Sequence, residues 1–236
     1  MPAGEVDRQK QHLAFSPVAP ASRRLWHLSL GEVGCETLHT VSQKHLSIEQ
    51  INGIHVLRLQ SDDGMNRLTK AYVMELTTLL QTYATQVRGL IITGNQKFFS
   101  AGADLHEIAA LNGPSGLEFS QMGQRLMNSI EFLPVPVYAA ISGYCMGGGL
   151  DLALACHRRI ASPNAIFGHR GAALGLITGW GGTQRLPRLV GRATALQMFV
   201  AADKITASHG LRIGLIDAVA EDPVQYCVNE LARRGS

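Results

Sequence analysis

The chain has 236 residues, enough for one large domain or two small ones. Hydrophobic residues make up 46% and charged residues 17%, which allows a sizeable core and excludes wholesale disorder. A net charge of +3 is too small to argue for nucleic acid, but it suits an anionic ligand.

The opening, MPAGEVDRQKQ, is polar and carries no secretory signal. Residues 1–45 show no sustained period, and Pro17 and Pro20 favour loop. Glu5, Asp7, Glu32 and Glu36 argue against a transit peptide. Residues 1–45 are therefore read as a weakly ordered N-terminal extension, and 46–236 as the folded domain.

Regular structure is expected from Leu46. Gly53 to Leu59 reads as a strand whose two faces are both largely apolar, so it is covered on both sides. SDDGMN is a turn, and Thr69 caps a helix with Tyr72, Val73, Leu76, Leu79, Leu80 and Tyr83 on one face. Gly89 to Thr93 is a short buried strand. Helices follow over about Asp104–Ala110 and Ser115–Phe132, the second stopped by Pro134 and Pro136. The uncharged stretch Phe132–Leu150 is long enough to span a membrane. Its prolines and glycines mark it instead as a buried strand, VYAAIS, a turn and a helix start. RRIAS and AIFG are two more strands, and a glycine-rich loop leads into the helix around TQRL. Gly214 to Val219 is a last strand, and Pro223 opens a final helix to about Arg233. Short strands alternating with helices give an α/β class.

Cys35, Cys145, Cys156 and Cys227 are scattered, with no C-x-x-C, so neither a zinc site nor a disulfide framework is signalled. Cys145 and Cys156 read as reduced core thiols, which suits a cytoplasmic protein. No metal-ligand cluster is visible.

Three consecutive glycines, Gly147, Gly148 and Gly149, open directly into an apolar helix containing Asp151. The first N–H groups of a helix lack partners and carry positive potential, and glycine lets a ligand approach them. Alone, the triplet is no more than a tight turn. Phe98 to Ile108, FFSAGADLHEI, repeats the pattern of apolar run, small residues and an acid near a helix start. Two such turns aim two amides at one oxygen, the arrangement of an oxyanion hole. The glycines do not form the G-x-G-x-x-G of a dinucleotide site.

FSAGADL, SGYCMGGGLDLALAC and GWGGTQRLPRLVG, in that order, resemble the crotonase family of enoyl-CoA hydratases and isomerases across roughly Leu46 to Val219. The resemblance implies a spiral of ββα units, with a C-terminal helical segment shorter than usual. It implies an acyl-CoA thioester substrate, no cofactor beyond the coenzyme A of the substrate, and a homo-trimer or hexamer. By motif, Ala103 and Gly148 supply the oxyanion N–H groups. Gly64, Met65, Ala101, Asp104, Leu105 and Gly147 line the path of the coenzyme, and Trp180 either walls the acyl end or is a core residue. Asp104 is equally a helix cap.

The carboxylates depart from the family pattern. Asp151 stands where hydratases carry a glutamate, about 1.5 Å shorter in reach. It is either a base for a differently placed substrate or a cap on its helix. The second glutamate position is Gly171, which has no proton to move. His169 is a replacement acid/base or a structural residue. The expected function is an acyl-CoA enzyme of the hydratase/isomerase type. The alternative is a non-catalytic acyl-CoA-binding or assembly subunit that kept the hole and lost the acids.

Overall fold

The computed structural model of the chain describes residues 41–42, 45–83 and 87–234. The N-terminal half contains β1 (Val41–Ser42), β2 (Leu46–Ile51), β3 (Ile54–Leu59), β4 (Arg67–Leu68) and α1 (Lys70–Tyr83). Next come β5 (Leu90–Thr93), β6 (Phe98–Ser100), β7 (Gly102–Ala103), α2 (Leu105–Ala109) and α3 (Gly113–Glu131). The middle holds β8 (Val137–Ile141), β9 (Tyr144–Met146), α4 (Gly148–Ala155), β10 (Arg158–Ala161) and β11 (Ile166–Gly168), then a 3-10 turn at Arg170–Leu174. The remainder is α5 (Gly182–Val190), α6 (Arg192–Ala201), β12 (Ile205–Thr206), α7 (Ala207–Arg212), β13 (Ala218–Val219) and α8 (Pro223–Arg234).

The strands form a seven-stranded sheet in the order β1-β2-β3-β5-β8-β10-β13, a four-stranded sheet β12-β11-β9-β6, and the pair β4-β7. From β3 to β13 the large sheet is parallel. So are β6, β9 and β11 in the smaller one. Consecutive strands of the chain therefore alternate between sheets: β5 then β6, β8 then β9, β10 then β11. Helices return the chain after the first two pairs, because parallel neighbours need a crossover. This is the expected spiral of ββα units.

Register fixes which side chains meet. Val56 pairs with Ile91, and Ile91 with Tyr138; Leu57 pairs with Ile92, and Ile92 with Ala139. Because the strand period is two, the first row faces α8 and the second faces the main core. The large sheet is thus covered on both faces, as the apolar content of β3 requires. Helix α1 buries Tyr72, Val73, Leu76, Leu79 and Leu80, and its Tyr72 N–H donates to Thr69 Oγ1 at 3.2 Å. Helix α3 begins at Gly113, ahead of the expected Ser115. Asn112 and Ser115 form a reciprocal capping box, and Pro114 fits the first turn, where no N–H is needed.

Several expectations move. Among the described residues regular structure is already present at Val41, where β1 pairs antiparallel with β2; residues 1–40, most of the expected N-terminal extension, lie outside the described residues. The strand expected over 214–219 shrinks to Ala218–Val219; Leu215 and Ile216 are buried, but Leu215 N–H bonds back to Gly210 O at 2.8 Å, closing the end of α7. LPRLVG continues the TQRL helix as the end of α5, with Pro187 inside it. Cys145, Cys156 and Cys227 are free and buried. Among the described residues no helix is long and apolar enough to cross a membrane, and no group of three or more His, Cys, Asp or Glu is placed to hold a metal ion.

Candidate active site

Two turns meet backbone to backbone beside one cavity. Strand β7 carries Gly102, whose φ of +96° is open to glycine and disfavoured for other residues. A Cβ there would sit 2.7 Å from Met146 O and 3.1 Å from Gly148 N. Gly147, the N-cap of α4, has φ of +51° and donates its N–H to Gly168 O at 2.9 Å. A Cβ on Gly148 would lie 3.3 Å from Ala103 N and 2.6 Å from the Trp180 ring. The glycines therefore serve close approach: they let β7, the start of α4 and a tryptophan occupy one small volume.

The cavity beside these turns has a volume of about 760 Å³. Ala101, Ala103, Leu105, Gly147, Gly148, Asp151, His169 and Trp180 all line it. The rest of the wall is mostly apolar, from Leu174 and Ile177 on one side and Leu196, Phe199 and Val200 on α6. Gly64, Met65 and Asp104 are not on that wall. Gly64 O accepts from Asn95 Nδ2 at 2.7 Å, and Met65 O accepts from Ala101 N–H at 2.9 Å, so Met65 braces the Ala101 turn. Asp104 is the N-cap of α2, accepting from the N–H groups of His106 and Glu107. Of its two readings, the cap is the one with a visible partner.

Trp180 is both core and wall. Its ring lies 5.1 Å from that of Phe119, and its Nε1–H donates to Phe119 O at 3.2 Å. A Cβ on Gly123 of α3 would collide with the indole.

Asp151, in the first turn of α4, is 1% exposed, and His169, directly after β11, is 4% exposed. His169 Nε2 and Asp151 Oδ1 are 3.4 Å apart. Neither atom has a hydrogen-bond partner. The other carboxylate oxygen, Oδ2, accepts from Thr178 Oγ1. Burial pushes the Asp151 carboxyl up to about 7, against which the Thr178 hydrogen bond and the charge of Arg185 pull down. Burial lowers His169 to about 4. The pair thus favours the forms without charge, for one reason: neither ion is solvated there. Two buried, facing, incompletely paired titratable groups on a cavity wall are a candidate for proton chemistry.

Gly171 lies in the 3-10 turn. A Cβ there would be 2.8 Å from Leu176 O, and Leu176 N–H donates to Gly171 O at 2.8 Å. Gly171 itself lines the cavity but brings no titratable group to it, and a side chain there would have to displace the Leu176 backbone.

A model of the family described as enoyl-CoA hydratase/isomerase matches residues 49–234. The chain belongs to the enoyl-CoA hydratase/isomerase family. A crotonyl-CoA hydratase of Syntrophomonas wolfei is 38% identical over 184 residues, 77% of this chain and 71% of that protein. A Bacillus subtilis relative described as a probable enoyl-CoA hydratase is 42% identical over 163 residues. That match takes in 68% of this chain, which spans 63% of the relative's length. Among solved structures, an enoyl-CoA hydratase from Bacillus anthracis superposes with a TM-score of 0.75 at 34% identity. It covers 81% of this chain and 76% of its own.

Within this hydratase/isomerase fold, two residues at the site were not legible in the sequence. Thr178 sits in a loop among glycines, where a hydroxyl has no positional signal. Arg185 is buried on α5, donating to Glu131 Oε2 at 2.5 and 3.0 Å and to Asn128 Oδ1 at 2.8 Å. It ties α5 to α3 and holds the Trp180 segment in place, with Nη1 3.5 Å from Trp180 O.

Proposed function

We propose that the protein acts on acyl-CoA thioesters, holding the thioester oxygen against the N–H groups of Ala103 and Gly148 and moving a proton with Asp151. Charge develops on that oxygen when a C–H bond next to the carbonyl gives up its proton and its electron pair passes into an enolate. Donors aimed there lower the barrier, each by about 3–4 kcal/mol in other enzymes. The proton taken by Asp151 returns to the α or the γ carbon, which exchanges a hydrogen or shifts a double bond without adding water.

The observation that carries this reading is one buried carboxylate on the cavity wall, with a glycine, Gly171, where its partner would stand. Asp151 and Gly171 both line the cavity; Gly171 carries no acid, and a Cβ there would meet Leu176 O at 2.8 Å. Water addition needs a base for the water and an acid for the α-carbon. Proton transfer on an enolate needs only the hole and one base. Enoyl-CoA hydration is therefore expected to be slow or absent, and hydrogen exchange at the acyl chain to be the activity.

Mass spectrometry of acyl-CoA thioesters incubated in heavy water tests this. Deuterium should enter the acyl chain with wild type and be lost with Asp151→Asn, while calorimetry shows thioester binding largely kept. Brisk hydration of crotonyl-CoA by wild type would refute the single-carboxylate reading. Exchange that survives Asp151→Asn would move the base to His169.

A further inference from the structure

We propose that Thr178 is a positioning residue for Asp151, its hydroxyl holding one carboxylate oxygen so that the other is kept facing His169 at the cavity wall. This rests on the reading of Asp151 as the base.

The geometry separates the two oxygens. Oδ2 accepts from Thr178 Oγ1, whereas Oδ1 is buried without a hydrogen-bond partner. The space around Oδ1 is kept by Gly182 at the start of α5, where a Cβ would collide with it. The orientation of the carboxylate plane is set by torsions about Asp151's own side-chain bonds. A second-point contact on Oδ2 fixes that plane, and a misplacement of about 1 Å can cost roughly a hundredfold in rate.

Other titratable or charged groups face the carboxylate from each neighbouring element, and none replaces this contact. From the end of β11, His169 Nε2 stands 3.4 Å from Oδ1. From α5, Arg185 acts on Asp151 through its charge, while its N–H groups are engaged by Glu131, Asn128 and Trp180. From β9, the Cys145 thiol donates to Gly149 O instead, at 3.5 Å. Among the described residues, Thr178 is the hydrogen-bond donor to this carboxylate. A hydroxyl donating to a carboxylate favours its charged form, so the same contact that orients the base also opposes the upward push of burial.

The test compares Thr178→Val with Thr178→Ser. Valine keeps the branched shape and deletes the hydroxyl; serine keeps the hydroxyl and deletes the methyl. If Thr178 only packs, valine is harmless and serine is the damaging change. If it positions the base, the order reverses. Two readouts are needed. The first is the pH profile of deuterium exchange. With Thr178→Val, turnover near pH 7 should fall at least about tenfold, with KM little changed. The rising limb should also move to higher pH, and Thr178→Ser should restore it. The second needs no substrate: the titration of the Asp151 carboxyl carbon in aspartate-labelled protein, assigned by its loss in Asp151→Asn. That midpoint should rise in Thr178→Val and stay near wild type in Thr178→Ser.

An unmoved titration in a folded Thr178→Val protein overturns the proposal, as does valine matching wild type in exchange. If the titration moves as expected but wild type shows no exchange with any thioester, the positioning role stands and the proposed reaction fails.

Discussion

Asp151 and His169 carry opposite pH dependences into folding. The Asp151 carboxyl goes from an ordinary 3.8 to about 7. Between these values the folded protein holds a proton that the unfolded chain has released. Its contribution to stability is present below about pH 4 and lost as pH rises through about 7. His169 goes from 6.5 to about 4, so there the unfolded chain holds the extra proton. Its contribution grows as pH rises across that window. The two slopes oppose each other, and wild type should be comparatively flat between about pH 4 and 6.5. Asp151→Asn should become more stable with rising pH over this range, and His169→Gln less stable. Urea unfolding at a series of pH values reads both slopes, and parallel slopes in the two variants would show that the groups do not titrate as buried residues.

At the scale of elements, α3 and the Trp180 loop meet through a missing side chain. Gly123 lies in the interior of α3, where alanine would ordinarily gain about 0.5–1 kcal/mol in helix propensity. Here a Cβ collides with the indole, which is fixed by Phe119 O and by the packing of Gly148. Overpacking a core costs about 1–3 kcal/mol, more than the propensity returns. Gly123→Ala is expected to lower the unfolding midpoint, despite being a helix-favouring change. It should also shift tryptophan fluorescence and weaken thioester binding, since the displaced ring borders Gly148. A variant more stable than wild type would show that α3 can move away freely.

The whole molecule separates its chemistry from one of its two cores. The cavity lies on the side of the main core, while α8 covers the opposite face of the parallel sheet with Cys227, Val228 and Leu231 against Val56, Ile91 and Tyr138. Leu231 is 4% exposed. Leu231→Ala should cost about 2–5 kcal/mol in unfolding free energy, as buried leucine truncations do. Turnover per folded molecule should stay close to wild type at a temperature where the variant remains folded, because no residue of that face touches the cavity. Chemical denaturation and activity on the same sample check the two halves of this statement. A large loss of turnover at unchanged folding would mean that the sheet transmits strain to the site.

The strands β3, β5 and β8, the helices α1 and α3, and the two glycine turns were legible because their signals are local. Period, branched residues and capping side chains act within a few positions of themselves. The resemblance of three motifs singled out Ala103, Gly148, Asp151 and Trp180, and the chemistry of imidazole singled out His169; all five line one cavity. What the sequence left open were matters of distance between segments far apart in the chain. Asp104 reads equally as ligand or cap until its carboxylate is seen on His106 and Glu107. Strand β9 is three residues long and exists through its partners β6 and β11, not through any pattern of its own. Thr178 is 27 residues from Asp151, and only the folding of the 3-10 turn back over Gly171 brings the hydroxyl to the carboxylate. The residue types of the site were thus fixed by the sequence. Which oxygen is held and which is free was decided by tertiary packing, because hydrogen-bond geometry and burial depend on neighbours that no local pattern specifies.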